Sequence, residues 1–233
     1  MPADAQRLTI DVEGGRVSGL LEAPGEARAC YVLAHGAGAG MTHPFMAKIA
    51  DALAERAIAT LRYQFPYMEA RSKRPDPPRV AHAAVRAAVA EASRRLPGMA
   101  LFAGGKSFGG RMTSQAQAAA SLEGVRGLVF LGFPLHPAGK PSVERAEHLG
   151  SVRVPMLFLQ GTRDALAELP LLEPVVARLG ARARLVRVEG ADHSFHVPAK
   201  SGRSDSDVMS ELADAISAWI RETPNSAIAC ERS

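Results

Sequence analysis

Two hydrophobic periods share this chain, and the points where one gives way to the other mark its elements. Residues 7–12 (RLTIDV) and 16–23 (RVSGLLEA) read as strands on either side of a turn at Glu13-Gly14-Gly15. CYVLAHG, 30–36, is a continuous apolar run, the pattern of a strand covered on both faces. In PFMAKIADALAERA, Phe45, Ile49, Ala52, Leu53 and Arg56 recur at helical spacing, with the apolar members on one side. IATLRY (58–63) predicts a strand. After a Pro- and Arg-rich loop, RVAHAAVRAAVAEASRRL (79–96) predicts a helix. MALFAG (99–104) reads as a strand and FGGRMTSQAQAAAS as the helix leading away from it. Three more strands are expected at GLVFLG (127–132), PMLFLQG (155–161) and ARLVRVEG (183–190), with helices near 142–149, 167–179 and 207–221. This alternation predicts an α/β fold: a mostly parallel, doubly wound sheet of roughly eight strands with helices on both faces. In such sheets chemistry collects at the carboxyl ends of the strands.

Composition narrows the class. With 233 residues, 47% of them apolar, the chain can build one sizeable core, and residues 1–233 are expected to form one domain with a polar tail over about 222–233. No apolar run approaches the roughly 20 residues of a membrane span. The start, MPADAQRLTIDVEGG, carries charges where a secretory signal has its apolar segment. The two cysteines, Cys30 and Cys230, lie at opposite ends of the chain, so a reducing cytoplasm is the expected setting. The net charge of +4 comes mostly from scattered arginines. The one cluster, Arg71-Ser72-Lys73-Arg74, lacks interleaved aromatic residues, which argues for a solvated loop and against nucleic acid as a partner.

One stretch, Gly104-Gly105-Lys106-Ser107-Phe108-Gly109-Gly110, supports two chemistries. Gly105-Lys106-Ser107 is how a phosphate-binding loop ends. That motif needs a glycine five places before Gly105, where Ala100 stands, and its loop would consume residues the strand requires. Gly105-Lys106-Ser107-Phe108-Gly109 instead fits G-x-S-x-G, a sharp strand-to-helix turn that presents a serine nucleophile. The glycines supply clearance, Ser107 is the nucleophile, and Lys106 is left as a neighbour pointing away.

A serine hydroxyl needs a base, and the base needs a carboxylate to orient it. Downstream the chain offers Asp164, in LFLQGTRDAL, and then His193, in EGADHSF, each just past a predicted strand. Taken alone, Asp164 could cap the helix that follows it. Asp192 is a rival acid, and His193 with His196 could suggest a metal pair, although no third and fourth ligand follow. The oxyanion donors are expected to be the backbone N–H of Phe108 and that of Ala37 in AHGAGAGMTH (34–43), with Gly36 and Gly38 as alternatives one residue away. His35 reads as a residue that fixes this loop.

GKSFG, GTRDAL, GADHSF and AHGAGAG, in this order, resemble the α/β-hydrolase superfamily over essentially the whole chain, and most of all its small, lid-poor, dienelactone-hydrolase-like branch. Dienelactone hydrolase itself uses cysteine where this chain has Ser107. The resemblance implies a serine esterase acting through Ser107, Asp164 and His193 on a small-molecule ester, with no metal or organic cofactor and no membrane partner. A thioesterase or acyltransferase would need the same residues, and a weakly catalytic interaction module could share the fold. The run from Phe133 to Pro155 is too short for a long lid. Tyr63 and Phe65 are expected to border the site and shape an acyl pocket, together with Tyr67. Arg111, with Arg62 and Arg71, is expected to favour a carboxylate-bearing substrate.

Overall fold

The computed structural model describes residues 5–224. Its eight strands are β1 (Gln6–Val12), β2 (Gly15–Glu22), β3 (Ala29–Ala34), β4 (Ile58–Tyr63), β5 (Ala100–Lys106), β6 (Val125–Leu131), β7 (Met156–Gly161) and β8 (Ala183–Val188). They form one sheet in the order β1-β2-β4-β3-β5-β6-β7-β8. β1 with β2 and β2 with β4 are antiparallel, and every later pairing is parallel. Six α-helices accompany them: α1 (Pro44–Ala54), α2 (Pro66–Glu69), α3 (Pro78–Arg95), α4 (Phe108–Ala119), α5 (Leu169–Leu179) and α6 (Asp205–Glu222).

The apolar runs have a direct structural cause. Along β3 alternate residues enter opposite cores: Cys30, Val32 and Ala34 join one, Ala29, Tyr31 and Leu33 the other. A strand with helices on both faces has no solvent side, so neither parity can be polar. The first core takes in Val85 of α3, Met112 of α4 and Leu172 of α5; the second takes in Ile49 of α1 and Leu212, Ile216 and Trp219 of α6. Each such large side chain, fully buried, contributes about 1.5–3 kcal/mol relative to exposure. These cores hold the strand ends still.

The structure corrects several expectations. α1 stops at Ala54, before Arg56, and Ala57 breaks the helix with φ of 56°. Its buried face is Met46, Ile49, Ala50, Leu53 and Ala54, which leaves Phe45 and Ala52 half-buried. The segment near 142–149 is a 3₁₀ helix over Glu144–Ser151. Its buried residues, Ala146 and Leu149, and the following Val152 recur every third position, the spacing at which a 3₁₀ turn stacks side chains. The loop after β4 carries the unforeseen α2, opened by Pro66. Cys30 is wholly buried, and burial pushes its thiol up to about 12. Cys230 and residues 225–233 of the expected tail lie outside the described residues. Among the described residues no helix is long and apolar enough to cross a membrane.

Candidate active site

At the carboxyl end of β5 the chain reverses from strand to helix in one residue. Ser107 has φ 49° and ψ −113°, a conformation that costs an L-residue free energy, and α4 starts immediately after it. The turn is possible because its flanks lack side chains. A Cβ on Gly105 would lie 2.1 Å from the Ala34 carbonyl oxygen, and one on Gly109 would lie 2.6 Å from both the Ala34 and His35 carbonyl oxygens. The elbow is thus pressed directly against the end of β3. Thr113 bridges it from within, donating from Oγ1 to the Gly109 carbonyl at 2.9 Å.

Two loops from later in the chain meet Ser107 here. His193 Nε2 lies 2.9 Å from Ser107 Oγ, and His193 Nδ1 lies 2.6 Å from Asp164 Oδ2. The Asp164 side chain is fully buried, while His193 keeps about a quarter of its side-chain surface open. Gln160 Nε2 donates to the same Asp164 Oδ2 at 2.5 Å, and the Leu166 N–H donates to Oδ1 at 2.8 Å. These donors compensate the buried carboxylate. Asp164 caps no helix, since Glu168 stands at the N-cap of α5. The rival Asp192 is spent on its own turn: Oδ1 accepts the N–H groups of Ser194 (2.8 Å) and His196 (3.0 Å). His196 turns to Asp205, 3.0 Å from its Nδ1.

On the other side of Ser107 runs the loop after β3. His35 accepts the Phe65 N–H at Nε2 (3.0 Å), so its Nδ1 carries the proton and donates to the Gly36 carbonyl at 2.8 Å. Both ring nitrogens are engaged, and burial pulls its pKa down to about 4. Gln64 Oε1 accepts the Met41 N–H at 2.8 Å, and Tyr67 Oη accepts the Gly38 N–H at 3.3 Å. Gly38 therefore has a partner for its amide. The Phe108 N–H opens α4 and has no carbonyl of its own helix to receive it. A cavity of about 350 Å³ joins the two loops, with Ala37, Phe45, Met46, Lys106, Ser107 and His193 among its lining.

Five residues depart from the sequence expectations. Tyr63 and Phe65 are completely buried and pack in the core; Phe65 lies edge-on to Phe108 and His35, so neither residue lines the cavity. The reason is geometric: Tyr63 ends a central strand, and the backbone N–H of Phe65 is drawn inward to His35. Arg62 is buried in an ion pair with Glu22 at 3.3 Å. Arg111 lies over the Phe108 ring, 5.9 Å from its centroid, outside this cavity, with burial and nearby Arg145 lowering its pKa. Lys106 does not point away: its Nζ donates to the His193 carbonyl and it lines the cavity. Sequence reasoning also missed Gln64 and Gln160. Each follows or ends an apolar strand, where a polar amide was the available signal.

A strand-elbow-helix serine beside a histidine and a buried acid, on an eight-stranded sheet of this order, defines the α/β serine hydrolase class of architecture. The chain belongs to the alpha/beta hydrolase domain family, whose model matches residues 27–221. Solved structures agree in fold. One is XC6422 from Xanthomonas campestris, described as an α/β serine hydrolase without a lid: 22% identity, TM-score 0.73, covering 96% of this chain and 99% of that one. Another is a dienelactone hydrolase from Anabaena variabilis: 21% identity, TM-score 0.75, covering 94% and 99%. A third is Est1E from Butyrivibrio proteoclasticus, at 14% identity, TM-score 0.70, covering 93% and 98%. This chain matches the lid-less form: between β6 and β7 its one helical element is the 3₁₀ helix Glu144–Ser151.

Proposed function

We propose that this protein is a carboxylesterase for small or accessible esters, with Ser107 as nucleophile, His193 as general base and Asp164 as its orienting acid. The observation that carries the proposal is the continuous chain from Ser107 Oγ through both nitrogens of His193 to Asp164, 2.9 Å and 2.6 Å long in its two links. With Nδ1–H directed at a carboxylate that Gln160 and Leu166 hold, Nε2 is the nitrogen free to take a proton.

Ser107 Oγ attacks the ester carbonyl as His193 Nε2 accepts its proton. The carbonyl oxygen becomes an oxyanion, for which the N–H groups of Phe108 and Ala37 serve as donors. The Tyr67 bond to Gly38 favours Ala37 over Gly38 as the second donor. His193 then protonates the leaving alcohol. Water, deprotonated by the same nitrogen, attacks the acyl-enzyme and releases the acid. An uncovered cavity of about 350 Å³ suits compact esters better than long acyl chains.

A fluorophosphonate probe tests the nucleophile. The wild-type protein is expected to label and Ser107→Ala to give no labelling; equal labelling of both overturns the assignment. Nitrophenyl esters and acyl thioesters of rising chain length then test the substrate class. Fastest turnover is expected with the short oxygen esters, and a preference for the thioesters would replace esterase with thioesterase.

A further inference from the structure

We propose that Lys106 is a positioning residue for the base: its ammonium clamps the loop carrying His193 onto the nucleophile elbow. The inference rests on the proposed roles of Ser107 and His193. Lys106 is the last residue of β5 and the neighbour of Ser107, and its Nζ donates to the backbone carbonyl of His193. The two segments that must align Oγ with Nε2 are therefore tied twice, once through the imidazole and once through the main chain.

The rest of the ammonium is enclosed by rings. Its Nζ lies 5.2 Å from the centroid of Phe195 and 5.9 Å from that of Phe45, and these two rings stack at 5.8 Å with 13° between their planes. Phe45 belongs to α1 and Phe195 to the His193 loop, so one cation joins three parts of the fold. A ring face attracts a cation most where water is excluded. Phe195 also holds φ of 64°, a strained value for a bulky residue, in a turn whose N–H groups bond Asp192. Gly132, at the end of β6, crowds the same spot: a Cβ there would sit 3.1 Å from Nζ.

The titratable groups around the ammonium are Asp164 from the loop after β7, Asp192 and His193 from the loop after β8, and His43 at the N-cap of α1. No carboxylate among the described residues bonds Lys106 directly; burial dominates and brings its pKa down to about 8, against the opposing pull of Asp164 and Asp192. The clamp is thus charged at neutral pH and loses its charge within the range an assay reaches. The folded pKa is lower than the unfolded 10.5, so this group makes the fold relatively more stable, not less, as pH rises from about 8 to 10.5. Deprotonation of Lys106 therefore does not itself destabilise the fold.

The test is steady-state kinetics of Lys106→Met on nitrophenyl acetate. The substitution keeps the aliphatic stem and removes the donor. We expect kcat to fall roughly ten- to hundred-fold, the scale of a misplaced catalytic group, with KM nearly unchanged. Labelling of Ser107 by the fluorophosphonate should slow by a similar factor. The decline of wild-type kcat above pH about 8 should vanish in the variant. A variant with wild-type kcat overturns the clamp. Should Lys106→Met fail to fold, Lys106→Leu takes its place in the same assay, and wild-type kcat in the folded leucine variant overturns the clamp too. Activity that survives in Ser107→Ala would mark the failure of the esterase proposal itself, independently of Lys106.

Discussion

The loops after β3 and after β8 each bring a histidine to the same end of the sheet, and the two histidines have opposite kinds of partner. His35 is fully buried, with one nitrogen on the Phe65 N–H and the other on the Gly36 carbonyl. Its partners are all backbone, so it fixes a tautomer and a loop shape and has no nitrogen to spare. His193 places one nitrogen on a carboxylate and the other on the Ser107 hydroxyl, and it keeps part of its ring open to the cleft. The residue type is the same; the partners differ, and under the proposed mechanism they separate a histidine that braces a loop from one that moves a proton.

Exchange of roles between the two sites is the sharpest way to break this contrast. Under the proposed mechanism His193→Ala should lower kcat/KM by about four orders of magnitude or more, with a melting temperature close to wild type. His35→Leu should do the reverse. It strands the Phe65 N–H and the Gly36 carbonyl in the interior, which should cost about 2–5 kcal/mol in denaturant unfolding, with a smaller loss of activity. Equal losses of activity in two folded variants would erase the distinction.

Acid stability gives the next largest effect. The pKa of His35 is about 4 in the folded protein and near 6.5 when unfolded. Between those values the unfolded chain binds a proton that the folded one does not, so stability is complete above pH 6.5 and falls towards pH 4. The full contribution is of order 3 kcal/mol. Urea unfolding at several pH values should find it in wild type and miss it in His35→Leu.

The smallest effect concerns the loop that His35 braces. Tyr67→Phe removes the acceptor for the Gly38 N–H and should cost about 1 kcal/mol, or a few-fold in kcat/KM, with little change in KM. An unchanged kcat would mean that the Tyr67 bond does not help to hold the Ala37 amide.

Much of this was legible without coordinates. Strand parity is hidden within CYVLA, yet a run with no charged or strongly polar position already implies two covered faces. Gly105 and Gly109 announced a tight approach, and the structure supplied the obstacle, the carbonyl oxygens of Ala34 and His35. The failures share one cause. Tyr63 and Phe65 are placed near the site by the strand they end or follow, and Lys106 away from it by its place beside Ser107, but side-chain direction depends on which distant group claims the backbone or the side chain. Phe65 turns inward because its N–H binds His35, thirty positions earlier in the chain. Lys106 turns towards the cleft because the His193 carbonyl, 87 positions later, receives its ammonium.

The sequence by itself determined the order of elements, the elbow with its glycine clearance, and the succession of serine, acid and histidine after successive strands, because periodicity and local turn chemistry are written in consecutive residues. Only the tertiary structure decided which groups touch. It set His193 on Asp164 and not on Asp192, enclosed Asp164 with Gln160, gave the Gly38 amide to Tyr67, and brought Lys106 under two aromatic rings. Each of those outcomes is a contact between segments far apart in the chain, and such contacts follow from how the sheet orders its strands, a quantity no short stretch of sequence contains.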